Sequence, residues 1–153
     1  MSARIGIGYD AHRYAEGRRL VLGGVEIDHE AGLEGHSDAD VVTHAVIDAV
    51  LGAAGLGDLG THFPPSDDRW RDADSLDLLR TALGELRGSV VNVDVTVVCE
   101  RPAIGPHRPE MERLLSEALG APASVKATTN EGMGWVGRGE GVAAMAVALI
   151  SVD

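Results

Sequence analysis

The sequence predicts a single two-layer α/β domain over residues 1–153, a mixed β-sheet with helices packed on one face. Three observations predict it. Valine-rich runs with strand periodicity recur along the chain, three segments place apolar residues at helical spacing, and no linker, repeat or low-complexity run divides them. Strands and amphipathic helices each have one face to bury, and stacking them in two layers around one core buries both. At 153 residues the chain is long enough for that core.

The elements follow in order. R-I-G-I-G-Y is a first strand. R-L-V-L-G-G-V-E-I-D reads as a hairpin turning at Gly23–Gly24, because two central residues with positive φ suit glycine. S-D-A-D-V-V-T-H-A-V-I-D-A-V-L-G-A-A opens a helix, with Ser37 as N-cap, Asp40 three residues on, and a stripe of Val42, Ala45, Val46 and Ala49. A second helix runs through Leu76, Leu79, Leu83 and Leu86. S-V-V-N-V-D-V-T-V-V-C alternates Val91, Val93, Val95 and Val97 against Asn92, Asp94 and Thr96, which predicts a strand. A third helix runs from about Pro109, with Met111, Leu114, Leu115, Ala118 and Leu119 on one face and Gly120 as its stop. A-S-V-K-A-T-T and G-V-A-A-M-A-V-A-L-I-S-V are the last two strands. The sheet's second face, expected to carry Asn92, Asp94 and Thr96 with small alanines, is too apolar for bulk water and too polar for a dry core. It reads as a subunit interface.

Composition narrows the function. Lys and Arg number 13 against 24 Asp and Glu, a net charge of −11. Such a surface repels nucleic acid and anionic membranes, so neither is expected as a partner. It also repels a phosphorylated substrate unless a metal ion reverses the local sign. One cysteine permits no intrachain disulfide, and the N-terminal residues lack a signal-peptide core, so a cytoplasmic protein is expected. The apolar run near the C-terminus is too short to span a bilayer.

The stretch G-Y-D-A-H-R places Asp10 and His12 two residues apart behind a strand, on one side of it. Carboxylate oxygen and imidazole nitrogen both suit a borderline metal such as zinc. A D-x-H at a solvated strand end would do nothing, so the pair needs a third ligand. His44 supplies it from the first helix, where Asp40, His44 and Asp48 form one stripe. Three protein ligands with one open position are the catalytic zinc pattern; a hydrogen-bonded, half-buried His44 is the plainer alternative. G-L-G-D-L-G at 55–60 copies the dinucleotide fingerprint, but a helix precedes it and tandem prolines follow, so no such site is expected and Asp58 lies exposed on a helix-ending loop. In K-A-T-T-N-E-G-M-G-W-V-G-R-G-E-G, Thr128, Thr129 and Glu131 stand beside Lys126 and Arg138 among glycines that allow close backbone approach. A Gly-rich turn accounts for the glycines alone; the polar residues suggest handling of an oxyanion.

Together, G-Y-D-A-H-R, H-S-D-A-D-V-V-T-H-A, L-G-D-L-G-T-H-F-P, N-V-D-V-T, R-P-A-I-G-P-H, K-A-T-T-N-E and G-R-G-E-G resemble, in order and spacing from about residue 4 to 151, the 2-C-methyl-D-erythritol 2,4-cyclodiphosphate synthase family. The resemblance implies a homotrimer with its sheets inward and an active site at each subunit interface. It implies conversion of 4-diphosphocytidyl-2-C-methyl-D-erythritol 2-phosphate, a cytidine diphosphate-linked small molecule, into the cyclic diphosphate and CMP. Asp10, His12 and His44 match one zinc site per subunit, the first two also touching substrate. His36 and Ser37 match phosphate-binding residues, His36 together with Thr129 being catalytic. Asp58, Leu59 and Gly60, then Phe63, Pro64, Pro65, Ser66 and Asp67, match loops around the ribose and methylerythritol. Cys99, Glu100, Arg101, Pro102, Ala103, Ile104 and Gly105 match the segment whose backbone reads cytosine. Thr128, Thr129, Asn130 and Glu131 match the diphosphate site, Glu131 holding a magnesium (or manganese) ion. Trp135 stands where Phe is usual, and Arg138 and Glu140 are expected on one strand face near the three-fold axis. Pro65 replaces a frequent acid, Ala103 a common Lys, and Asn130 a third Thr. A zinc phosphohydrolase using the same ligands, or a non-catalytic trimeric binding module, are the competing classes.

Overall fold

A computed structural model describes residues 2–153. Along the chain come β1 (Ser2–Ala15), β2 (Leu20–Leu22), β3 (Val25–Ile27), β4 (Gly32–Leu33), α1 (Val41–Ala54), α2 (Leu59–His62), α3 (Ser75–Leu83), β5 (Gly88–Val98), α4 (Arg108–Leu119), β6 (Ala123–Thr128), α5 (Gly134–Gly137) and β7 (Gly141–Val152), with single 3₁₀ turns at Asp68–Trp70 and Gly105–His107. Five strands form one sheet in the order β4-β1-β7-β5-β6, while β2 and β3 make a separate hairpin. β5 and β6 are parallel and the other pairings antiparallel, so the sheet is mixed.

The packing of α1 against β1 is set by two glycines. A Cβ on Gly6 would lie 2.1 Å from the Ala49 carbonyl oxygen, and one on Gly8 would lie 1.9 Å from that of Ala45. Helix and strand backbones therefore touch, and the small Ala144, Ala146 and Ala148 of β7 complete the buried surface beneath the helix. The alanines were expected on the open face; the short helix-to-sheet distance leaves room only for small residues here. α1 is also buried nearly all round, from Val41 to Leu51 apart from Asp48, rather than along one stripe.

Several local expectations are corrected. Asp40, not Ser37, caps α1, its side chain accepting from the Thr43 amide at 3.0 Å. The same carboxylate accepts from the amides of Gly23 and Gly24, both at 2.8 Å, and from the Thr43 hydroxyl at 2.7 Å. The turn glycines, at φ 59 and 79, thus lock the hairpin onto the helix start. Burial and the nearby Asp38 push the Asp40 carboxyl pKa up, while its donors oppose the shift. Asp40→Ala would strand these donors, and we expect it to cost about 3 kcal/mol, read from urea unfolding. The hairpin turn itself forms where expected. α3 stops at Leu83 and Leu86 lies in the turn beyond it. In β5 the pairing with β7 shifts register between Val90 and Asn92, so Val91 is extruded and 45% exposed, while Val93, Val95 and Val97 point inward. α2 is a short helix in T-H-F-P-P country, ended at the prolines and capped by Asp58.

The sheet face opposite α1 carries Ile5, Ile7, Tyr9, Met145 and Val147, all exposed, beside Asn92, Asp94 and Thr96. None of the described helices is long and apolar enough to cross a membrane.

Candidate active site and metal centre

β1 continues through Asp10 and His12 rather than ending before them, and both residues lie on the α1 side, opposite buried Ala144 and Val142. His44, one turn into α1, is 4% exposed and meets them. The glycines that seat the helix on the strand therefore also set this approach. One ligand atom from each of Asp10, His12 and His44 lies within 4.8 Å of the others. His12 Nε2 is 2.9 Å and His44 Nδ1 3.0 Å from the same oxygen, Asp10 Oδ2. Tetrahedral donors around zinc stand about 3.3 Å apart, so the spacing is close to that of a ligand set.

The outer nitrogens decide what the inner ones can do. His12 Nδ1 donates to the Glu34 carbonyl at 2.7 Å, which leaves Nε2 a lone pair. His44 Nε2 contacts Ser75 Oγ at 2.8 Å and Ser37 Oγ at 3.1 Å, and the Ser75 hydroxyl in turn donates to Asp38. Such partners fix the tautomer of metal-binding imidazoles. His12 Nε2 is buried and, despite its short distance to Asp10, has no hydrogen bond of acceptable alignment. Lone pairs that converge on a carboxylate repel unless a cation sits among them. The residues present therefore fit a divalent metal of the nitrogen- and oxygen-loving kind, with the fourth position open to a ligand. In the protein alone, burial opposes ionisation of Asp10, but the two imidazoles prevail and hold its pKa down to about 2. His12 is likewise desolvated, and Asp10 more than compensates, raising its pKa.

A cavity of about 240 Å³ opens from this triad. His36 and Ser37 line it at the polar end; Leu59, Gly60, Phe63 and Pro65 line the apolar end, with Trp70 and Leu78, which the sequence did not single out. Phe63 packs edge to face on Trp70 at 4.9 Å. Asp58, Pro64, Ser66 and Asp67 belong to the same loops without lining the cavity. Asp58 is held by Thr61, and Asp67 by Arg69, while the Asp67 carbonyl meets His36 Nε2 at 3.2 Å. Asp48, on the metal stripe of α1, accepts from the Leu59 amide at 2.7 Å and so anchors this loop to the helix. Ser75 and Asp38, behind His44, were also missed: nothing in D-S-L-D or H-S-D-A-D marks a residue that would reach the outer imidazole nitrogen.

The remaining expected residues form a second cluster. Thr128 ends β6 beside Val98 of β5, and the Cys99 amide donates to the Thr128 carbonyl at 3.1 Å. Glu100 accepts from the Gly132 amide at 2.7 Å, joining the 99–105 loop to the turn that bears Thr129, Asn130 and Glu131. Glu131 is exposed at φ 51, a left-handed conformation uncommon for a non-glycine residue. Lys126 and Arg138 do not join the cluster: Lys126 pairs with Asp94 at 2.7 Å and Arg138 with Glu140 at 2.8 Å. The glycine-rich segment also holds α5, with Trp135 on it. Arg138 and Glu140 follow in a turn before β7 instead of on a strand face.

Within the chain, Thr128 stands apart from the triad. Thr128 pairs with Val98, Val98 with Ala143, and Ala143 with Ala11 between Asp10 and His12. That is three strand spacings, roughly 14 Å.

Residues 3–151 match the YgbB family. A 2-C-methyl-D-erythritol 2,4-cyclodiphosphate synthase of Symbiobacterium thermophilum is 61% identical over 96% of this chain and 98% of its own length. One from Salinibacter ruber is 56% identical over the same shares of the two chains. A solved structure of a 2C-methyl-D-erythritol-2,4-cyclodiphosphate synthase in a CDP-bound form superposes with a TM-score of 0.87 at 39% identity, covering 97% of this chain and all of that one.

Proposed function

This chain belongs to the YgbB family, and from that premise we infer that it is the cyclase converting 4-diphosphocytidyl-2-C-methyl-D-erythritol 2-phosphate into 2-C-methyl-D-erythritol 2,4-cyclodiphosphate and CMP. The observation that carries this reading is the convergence of Asp10, His12 and His44 at the head of a cavity that also presents His36 and Ser37. We assign one zinc to that triad, on its donor set. Glu131 is assigned a magnesium or manganese ion held jointly with diphosphate oxygens, since a hard cation accepts a lone carboxylate plus phosphate and water.

The nucleophile is the 2-phosphate oxygen, which attacks the β-phosphorus and expels CMP. A phosphate monoester, with a second pKa of about 6, is largely dianionic at neutral pH, so no side chain must remove a proton. The difficulty is bringing two anions together on an acidic protein. Metal held by Asp10, His12 and His44, and by Glu131, would supply the positive charge that offsets this repulsion. His36 and Ser37 donate to the phosphate from one side, and the Thr129 hydroxyl donates to charge developing on the transferring group. The 99–105 backbone fixes the cytidine while the apolar end of the cavity fixes the erythritol, and holding both ends makes the displacement intramolecular.

A homotrimer follows as part of the proposal. The metal triad and the Thr128 end of β6 stand three strands apart in one chain, roughly 14 Å, which supports a site completed by the Thr128–Glu131 turn of a neighbouring copy. The exposed Ile5, Ile7, Tyr9, Met145 and Val147 give the copies an apolar sheet face to share. We expect light scattering to give three times the 16.0 kDa chain mass at micromolar concentration; a monomer would refute the shared site. We place the protein in the cytoplasm, where the free thiol of Cys99 stays reduced.

Incubation with the cytidylyl substrate and magnesium tests the reading. CMP and cyclic diphosphate should form in equal amounts. Release of inorganic phosphate without cyclic product would make the protein a phosphohydrolase instead.

A further inference from the structure

β1 carries a third functional side chain beyond its metal ligands. Asp10, His12 and Tyr14 alternate along one strand and so share its α1 side. The Tyr14 hydroxyl reaches across 87 residues of sequence to donate to the Arg101 carbonyl. The loop from Cys99 to Gly105 is also held by the Thr128 carbonyl, the Gly132 amide, the His107 amide on the Ile104 carbonyl, and the Cys99 thiol, which donates to the Pro102 carbonyl at 3.6 Å. Two successive carbonyls, Arg101 and Pro102, are thus pinned by two side-chain donors. The peptide between these residues has no N–H of its own, because Pro102 supplies the nitrogen. Tyr14 is therefore the group that fixes the plane of that peptide from outside the loop.

We propose that Tyr14 is a positioning residue for nucleotide recognition, holding the Arg101–Pro102 peptide so that the loop presents a rigid backbone edge to the cytosine base. This rests on the assignment of residues 99–105 to the cytidine. A backbone that discriminates a base by hydrogen bonds does so only if its donors and acceptors are set before the base arrives. Tyr14 suits the task chemically. Its phenolic hydroxyl donates to the Arg101 carbonyl as the Cys99 thiol donates to that of Pro102, so each carbonyl has a donor of its own. The Tyr14 ring leans on His29 at 5.8 Å, which limits its swing away from the loop.

Tyr14→Phe removes the hydroxyl and keeps the ring. Calorimetric titration with CMP, which engages only the cytidine half, should show affinity about tenfold weaker, as for loss of one well-placed hydrogen bond. Titration with the cyclic diphosphate product, which has no cytidine, should be unchanged, as should metal content. Loosening of the whole fold would weaken both ligands together, and that result would overturn the proposal. CMP affinity within twofold of the parent protein would overturn it too. If the unaltered protein binds the cyclic product but not CMP, the assignment of the loop to cytidine fails, and this inference fails with it. Binding of neither ligand would instead strike at the cyclase reading itself.

Discussion

The His12→Ala protein should fold, trimerise and purify without zinc. Its melting profile in the presence of chelator should match that of the parent stripped of metal, because β1 is held by β7 along its length and by α1, not by the ion. Removing one of three protein ligands, with the other two still in place, should weaken zinc by a hundredfold or more, roughly the upper end of what lost supporting contacts alone cost. Turnover should drop by about a thousandfold, since a catalytic metal contributes several kcal/mol to stabilising charge in the transition state. His44→Ala should behave alike. Ser75→Ala is the graded control. It leaves all three ligands and removes the partner 2.8 Å from His44 Nε2, so zinc should weaken only by about tenfold. Elemental analysis decides: a His12→Ala protein that retains full zinc has been assigned the wrong ligands.

Glu131→Gln should separate the second metal from the first. The substitution keeps shape and removes the charge at an exposed position, so zinc content and assembly should not change. Without that carboxylate the diphosphate loses part of the hold on its cation, and the approach of the 2-phosphate meets more repulsion. We expect turnover to fall by about a hundredfold or more at low magnesium, and to recover in part as magnesium is raised. Titration of manganese by electron paramagnetic resonance, with the cyclic product bound, gives a readout apart from rate: the variant should bind it more weakly. Near-normal turnover at low magnesium would remove Glu131 from the role.

Much of the fold was legible because period and punctuation agreed. The Gly23–Gly24 turn, the αL stop at Gly120 (φ 66) and the inward Val93, Val95 and Val97 all follow from short-range rules. Three of the misreadings share one cause. Val91 fits a strict alternation until β7 imposes a bulge, and Ser37 is a sound cap until Asp40 finds four donors, two of them from a hairpin sixteen and seventeen residues away. The alanines of β7 look like surface residues until α1 presses on them. In each instance a partner distant in sequence outbid a local preference.

The site divides along the same line. The sequence alone determined that Asp10 and His12 share a strand side, that His44 can join them from a helix, and that Thr128 to Glu131 form a polar, glycine-flanked turn. Side-chain direction along a strand or helix is a property of the backbone repeat, so spacing suffices to read it. Only the tertiary structure decided that Gly6 and Gly8 let the helix close enough to bring His44 to Asp10, that Glu34 and Ser75 take the outer imidazole nitrogens, and that Tyr14 braces the loop after β5. It also decided that the Asp10–His12–His44 triad and Thr128 stand three strands apart. Distances between segments remote in sequence depend on strand order and on how closely layers pack, and no local pattern encodes either.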